Sequence, residues 1–207
     1  MLVVVDCGIS NIRSVLNALD AIKVPAKVVE SPSELAGAAG VILPGVGAFG
    51  DGIRSLDERG FREGIRTYVS SGRPLLGICL GMQLLASASY EYGEHAGLDV
   101  IPGVVKRIET REDLRVPHVG WNTIDVRGAS PLLADLSEER SFYFVHSYHL
   151  VPEDDEFVTA TTDYGVPLTA CVQRGAVYGA QFHPEKSQAD GLKLLRNFAA
   201  LCGMASC

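Results

Sequence analysis

Along the first half of the chain, short apolar runs alternate with longer stretches in which apolar positions recur every three or four residues. Leu2 to Val5 is a β-branched run that reads as a strand, and Asn11 to Leu19 follows with Ile12, Val15, Leu16 and Leu19 at helical spacing. Ala26 to Val29 supplies a second strand, Pro32 to Leu35 a helical turn, and Gly40 to Leu43 a third strand that runs into Pro44-Gly45-Val46-Gly47. The pattern then predicts one long amphipathic helix over Ile53 to Val69, a continuous apolar strand over Pro74 to Ile78, and a helix with almost no polar face over Leu80 to Ala88. This alternation, with strands apolar on both faces, predicts an α/β fold built on a mostly parallel, doubly wound sheet flanked by helices.

The second half changes character. Asn122 to Val126, Phe142 to Val145, Phe157 to Thr162 and Leu168 to Gln173 are strand-like segments separated by turns, which predicts antiparallel additions to the sheet. Val177 to Phe182 is a last apolar strand, and Ala189 to Leu201 is a closing helix carrying Leu192, Leu194, Leu195, Phe198 and Leu201. No internal repeat or low-complexity linker interrupts the chain, so residues 1–207 are expected to form a single domain.

Composition narrows the class without naming a function. An apolar fraction of 47%, a charged fraction of 21% and a net charge of -7 describe a folded, acidic protein, which argues against disorder and against nucleic acid as a partner. The five cysteines are odd in number and lack metal-ligand spacing, so neither a disulfide framework nor a metal site is expected. The N-terminal run has no basic leader and is too short for a signal peptide, which points to the cytoplasm. Pro74 to Tyr90 is uncharged, yet Gly77, Gly81, Gln83 and several serines break it, so it reads as a buried strand and helix, not a membrane span. The acidic run Glu153 to Glu156 reads as a solvated turn.

The chemistry gathers at Gly77-Ile78-Cys79-Leu80-Gly81. A side chain between a strand and a helix, with glycine two residues to either side, can occupy the tight turn called a nucleophile elbow. A helix starting at Leu80 would aim its amide dipoles at the sulfur, which favours a reactive thiolate. Most lone cysteines are small buried hydrophobes, and that description suits Cys7, Cys171, Cys202 and Cys207, which lack such a setting. A base is supplied by His183, which follows the strand Val177 to Phe182 and so emerges at the same carboxyl edge. Glu185 can hold one imidazole nitrogen while the other moves protons, and Pro184 stiffens the link. His95 lies in a polar turn and His118 lacks a nearby acid, while His146 and His149 end a predicted strand and stay as second choices for the base. Leu80 N–H can donate to a developing oxyanion, and the glycines of Pro44-Gly45-Val46-Gly47 permit the second donor that acyl transfer needs.

Taken together, PGVG at 44–47, GICLGMQ at 77–83 and HPE at 183–185 resemble the class I glutamine amidotransferases in order and spacing. Asn11-Ile12-Arg13-Ser14-Val15, Val116 to Asn122, Tyr143 to His149 and Gln181 to Ser187 extend the resemblance over nearly the whole chain. These segments are most similar to the branch of the family that feeds a cyclase in histidine biosynthesis. The resemblance implies a Cys79, His183, Glu185 triad that hydrolyses glutamine through a thioester, without cofactor or metal. Oxyanion contacts would come from Val46, Gly47 and Leu80, and the glutamine pocket from Gly45, Gln83, Glu91, Ser147 and Tyr148. It implies a heterodimer with a (βα)8-barrel cyclase that receives the ammonia and makes imidazole glycerol phosphate and aminoimidazole carboxamide ribonucleotide. Pro117, Trp121, Asn122 and Lys186 would lie near that interface, and the Val46-Gly47 peptide would turn inward when the partner holds its own substrate. Ser10 stands where the family usually has glycine and Cys7 where tyrosine is common, so the first turn departs from the pattern. A glutaminase serving another synthase, a catalytically silent regulatory subunit and a cysteine peptidase are the alternatives.

Overall fold

A computed structural model describes residues 1–8, 10–109 and 114–204. Its strands are β1 (Leu2–Val5), β2 (Ala26–Val29), β3 (Gly40–Gly45), β4 (Leu75–Cys79), β5 (Ala88–Ser89), β6 (His95–Ala96) and β7 (Gly103–Arg107). In the second half follow β8 (His118–Thr123), β9 (Asp125–Val126), β10 (Ser141–His146), β11 (Tyr148–Pro152), β12 (Val158–Asp163), β13 (Pro167–Arg174) and β14 (Val177–Ala180). The helices are α1 (Ile12–Ala21), α2 (Phe49–Glu58), α3 (Phe61–Ser70), α4 (Leu80–Leu84) and α5 (Gln188–Leu201). The main sheet runs in the order β2-β1-β3-β4-β14-β13-β12-β9. Its first five strands are parallel, and β13, β12 and β9 extend it antiparallel. Two small sheets, β10-β8 and β11-β7-β5-β6, stand beside it.

Strand alternation divides the interior into two cores. Val3, Val5, Val41, Leu43 and Leu75 pack with Phe49, Ile53 and Leu56 of α2 and Phe61, Ile65 and Tyr68 of α3. Leu2, Val4, Ile42, Leu76 and Ile78, pointing the other way, pack with Val15 and Leu19 of α1 and Leu194, Leu195 and Phe198 of α5. Both faces of the parallel sheet are therefore covered, which is why its strands read as unbroken apolar runs.

The short strands β5, β6, β7 and β11 are not in the sequence pattern, and three expected elements take a different form. The expected long helix over Ile53 to Val69 is two helices, because Gly60 adopts a left-handed backbone at φ 72° and turns the chain between α2 and α3. The helix after Cys79 stops at Leu84, well short of Ala88. There the carbonyls of Leu84 and Leu85 accept from the N–H groups of Leu98, Val100 and Ile101, so a crossing segment supplies the donors a longer helix would have used. The strand expected over Asn122 to Val126 is shared between β8 and β9, which pair with different partners, β10 and β12. Among the described residues no helix is long and apolar enough to cross a membrane.

Candidate active site

The carboxyl ends of β3, β4 and β14 lie side by side, with Gly45 in register with Cys79 and Ala180 with Ile78. Cys79 closes β4 and precedes α4 in a backbone conformation of φ 54° and ψ -112°. A non-glycine residue held there is strained, and the turn persists because its neighbours interlock. A Cβ on Gly77 would stand 2.7 Å from Gly81 O and Met82 N, and one on Gly81 would overlap the Leu43 carbonyl. The two flanking glycines are thus dictated by close backbone approach. Leu80 is the first residue of α4, so its N–H has no helical acceptor and is available at the cavity.

His183 is brought to this edge by the end of β14 and held by its own N–H, which donates to Tyr143 O of β10 at 2.9 Å. Its Nδ1 donates to Glu185 Oε1 at 2.7 Å, and both side chains are buried. Nε2 is buried and makes no hydrogen bond. Burial alone would hold the imidazolium back, but the Cys79 sulfur and the Glu185 carboxylate outweigh it and push His183 up to about 9. A proton leaving the thiol therefore has a willing acceptor.

The other histidines are placed differently. His146 Nδ1 meets Tyr148 O at 2.8 Å, a carbonyl that can only accept, so Nδ1 carries the hydrogen and Nε2 is left as an acceptor. His118 Nδ1 donates to that Nε2 at 3.1 Å. The remaining His118 Nε2 accepts from Asn122 Nδ2 at 3.3 Å, and the same amide donates to Asp163 O at 2.8 Å. Burial pushes His118 down to about 4 and His146 to about 3. His149, half-buried and facing Lys106, is pushed down to about 4 by the burial of its ring. His95 packs on Gly50 and Phe49. Among the described residues only His183 joins a carboxylate to the neighbourhood of Cys79.

A cavity of about 330 Å³ opens in front of the thiol. Val46, Gly47, Cys79, Leu80, Gln83, Glu91, Pro117, Ser147 and Tyr148 all line it, together with Val145 and His146. Gly45 lies behind this wall in β3. The carboxylate of Glu91 accepts from Phe49 N at 2.7 Å and so ties the cavity to the first turn of α2. Burial pushes its carboxyl up, and the Phe49 amide pulls it back. Among the described residues it is the one acid in the lining, and it suits an ammonium group. Gly47 sits at φ 93°, a left-handed conformation that favours glycine, with nothing within 4 Å of a would-be Cβ.

Trp121, Asn122 and Lys186 lie outside the cavity. Trp121 projects from β8 with 49% of its surface exposed, beside Val119 at 54% and Val145 at 38%. Tyr143 meets the Trp121 edge at 6.2 Å and carries Lys186 Nζ over its ring at 5.8 Å. Asn122 faces inward to His118. One residue was not anticipated from the sequence: Gln181, fully buried, places Nε2 at 3.8 Å from Cys79 Sγ. Its signals in the sequence are a polar side chain inside the apolar run Val177 to Phe182 and its place at the head of the segment Gln181 to Ser187.

The family model described as glutamine amidotransferase class-I matches residues 3–202. The chain is 49% identical over 198 residues to "Imidazole glycerol phosphate synthase subunit HisH" of Desulfitobacterium hafniense (strain DSM 10664 / DCB-2), covering 96% of this chain and 93% of the relative. It is 48% identical over 203 residues to the protein of that description from Syntrophotalea carbinolica (strain DSM 2380 / NBRC 103641 / GraBd1), covering 96% and 98%. Among solved structures, one described as "Crystal structure of glutamine amidotransferase" superposes with a TM-score of 0.74 at 26% identity, covering 98% of this chain and 99% of that one. The "Structure of PurLQS from Thermotoga maritima" shares the fold at a TM-score of 0.76 and 21% identity, covering 96% and 97%.

Proposed function

Because the chain belongs to the class I glutamine amidotransferase family, we propose that Cys79, His183 and Glu185 carry out its hydrolysis of glutamine. The activity is that of the glutaminase subunit of an imidazole glycerol phosphate synthase, acting in histidine biosynthesis. One observation carries the residue assignment: a strained cysteine at a strand end shares its edge with a buried histidine whose far nitrogen is fixed by a carboxylate.

In the first step Cys79 Sγ attacks the side-chain carbonyl of glutamine while its proton passes to His183 Nε2. The oxyanion of the tetrahedral intermediate is held by Leu80 N–H and by the Val46-Gly47 peptide once that peptide turns inward. His183 then protonates the departing nitrogen, ammonia leaves, and a Cys79 thioester remains. Water, relieved of a proton by His183, cleaves the thioester to glutamate. Glu185 holds the imidazole in the required tautomer throughout. Glu91 receives the α-ammonium of the substrate, and Ser147 and Tyr148 close the pocket around its α-carbon end.

The partner is a cyclase, and we assign it the (βα)8-barrel form and a one-to-one heterodimer in the cytoplasm, with residues 1–207 as one domain. Pro117, in the cavity wall, is followed along β8 by the exposed Val119 and Trp121, so an apolar surface runs outward from the mouth of the site. A partner seated there would meet the ammonia as it forms.

Glutamine hydrolysis measured with this chain alone, with the cyclase, and with the cyclase plus its nucleotide substrate tests the assignment. Strong hydrolysis is expected only in the last case, and Cys79→Ala should abolish it while still binding the cyclase. Hydrolysis surviving in Cys79→Ala overturns the nucleophile, and a loaded complex that never releases ammonia makes this a silent subunit.

A further inference from the structure

Gln181 follows β14 directly and has no exposed surface. Its backbone N–H donates to Ala170 O at 2.8 Å, so its place in the sheet is fixed by the neighbouring strand. A carboxamide buried this deeply is costly unless its oxygen and its N–H groups are engaged. Oε1 accepts from Gln83 Nε2 at 3.0 Å, and Nε2 lies 3.8 Å from Cys79 Sγ.

The orientation follows from chemistry. Gln83 Nε2 also lies 2.9 Å from Tyr148 O, and a carbonyl can only accept, so the Gln83 atom at that position is the nitrogen. That nitrogen is then the donor toward Gln181, and the Gln181 atom facing it is the oxygen. The Gln181 N–H group is left to face the sulfur. Tyr148 O is itself held by His146 Nδ1 at 2.8 Å, which steadies the far end of the arrangement.

We infer that Gln181 is a positioning residue for the nucleophile, its amide oriented by Gln83 and Tyr148 so that an N–H points at the Cys79 sulfur. The inference rests on the reading of Cys79 as nucleophile. A donor on sulfur fixes the rotamer from which it attacks and supports the charge that gathers there when the proton moves to His183. A second consequence concerns Gln83. With both amide hydrogens spent on Tyr148 and Gln181, Gln83 offers the substrate only its oxygen.

Two variants in the cyclase complex loaded with its nucleotide substrate separate this role from packing. Gln181→Met keeps the volume and removes the donor. Gln181→Glu keeps an acceptor for Gln83, so the interior does not have to tolerate an unpaired amide, and sets a carboxylate against the sulfur. Each is checked for folding by thermal unfolding, then measured for kcat, for KM of glutamine and for alkylation of Cys79 by iodoacetamide. In the methionine variant kcat and the alkylation rate are expected to fall about tenfold while KM moves less than about twofold. The glutamate variant is expected to fall at least as far. Wild-type kcat and alkylation in either folded variant overturn the inference, as does a loss that appears in KM alone. Cys79→Ala, run in parallel, keeps the two readings apart: residual hydrolysis there removes the nucleophile assignment itself. Complete loss in Cys79→Ala with unchanged Gln181 variants removes only the role of Gln181.

Discussion

His146, in the cavity lining, and His183, beside Cys79 but outside that lining, are both buried, yet their surroundings push them in opposite directions. His183, against Glu185 and Cys79, rises to about 9, whereas His146, whose neighbours are Tyr148 O and the neutral His118, falls to about 3. Burial is common to both and would by itself leave each imidazole neutral. The difference is one carboxylate two residues along the chain and one thiol across the cleft. Proximity to the substrate cavity is therefore a poor guide to which histidine moves protons, and the partner on the far nitrogen is a good one.

The comparison can be broken by substitution. His183→Asn is expected to lower glutamine hydrolysis in the loaded complex by roughly a thousandfold, and His146→Asn by less than about tenfold. Equal losses would erase the distinction. Glu185→Gln should cost about a hundredfold in rate, and the His183 titration followed by imidazole NMR should move down from about 9 toward the ordinary histidine range. A midpoint that stays in place would credit the whole elevation to Cys79.

The smallest effect is on stability, and its sign differs between the two environments. His183 is raised, so its contribution is fully present below about pH 6.5 and is lost as pH climbs through about 9. His118, His146 and His149 are lowered, so theirs is present above about pH 6.5 and is lost as pH falls through about 4 to about 3. Urea unfolding across this range should show losses on both limbs, the larger on the acid side, where three histidines contribute against one on the alkaline side. His118→Phe should flatten the acid limb and Glu185→Gln the alkaline one. Unchanged slopes in both variants would mean that other groups set the pH dependence.

Much of this could be read from the chain, for identifiable reasons. The central strands are covered on both faces, so β1, β3 and β4 appear as apolar runs, and the elbow announces itself because only glycine fits at 77 and 81. Glu185 lies near enough to His183 in sequence for the pair to be seen. What stayed hidden depends on register and long-range contact. His118 meets His146 because β8 and β10 pair them directly, 28 residues apart, and Gln83 reaches Gln181 across 98 residues. The pattern does not show β7 and β11, neighbours in a small sheet, because their residues mix buried and exposed positions without an unbroken apolar run. The first turn, where Cys7 and Ser10 depart from the family, includes residue 9, outside the described residues, as is Cys207.

The chain of groups from Asp163 through Asn122, His118 and His146 begins and ends on backbone carbonyls, and every hydrogen along it is already assigned a direction. Two amides, Gln83 and Gln181, continue it to the sulfur. None of these groups takes up or releases a proton near neutral pH. The wall of the site on that side therefore relays no proton at neutral pH, and His183, raised by Glu185 and Cys79, is the group placed to take the one that leaves the thiol.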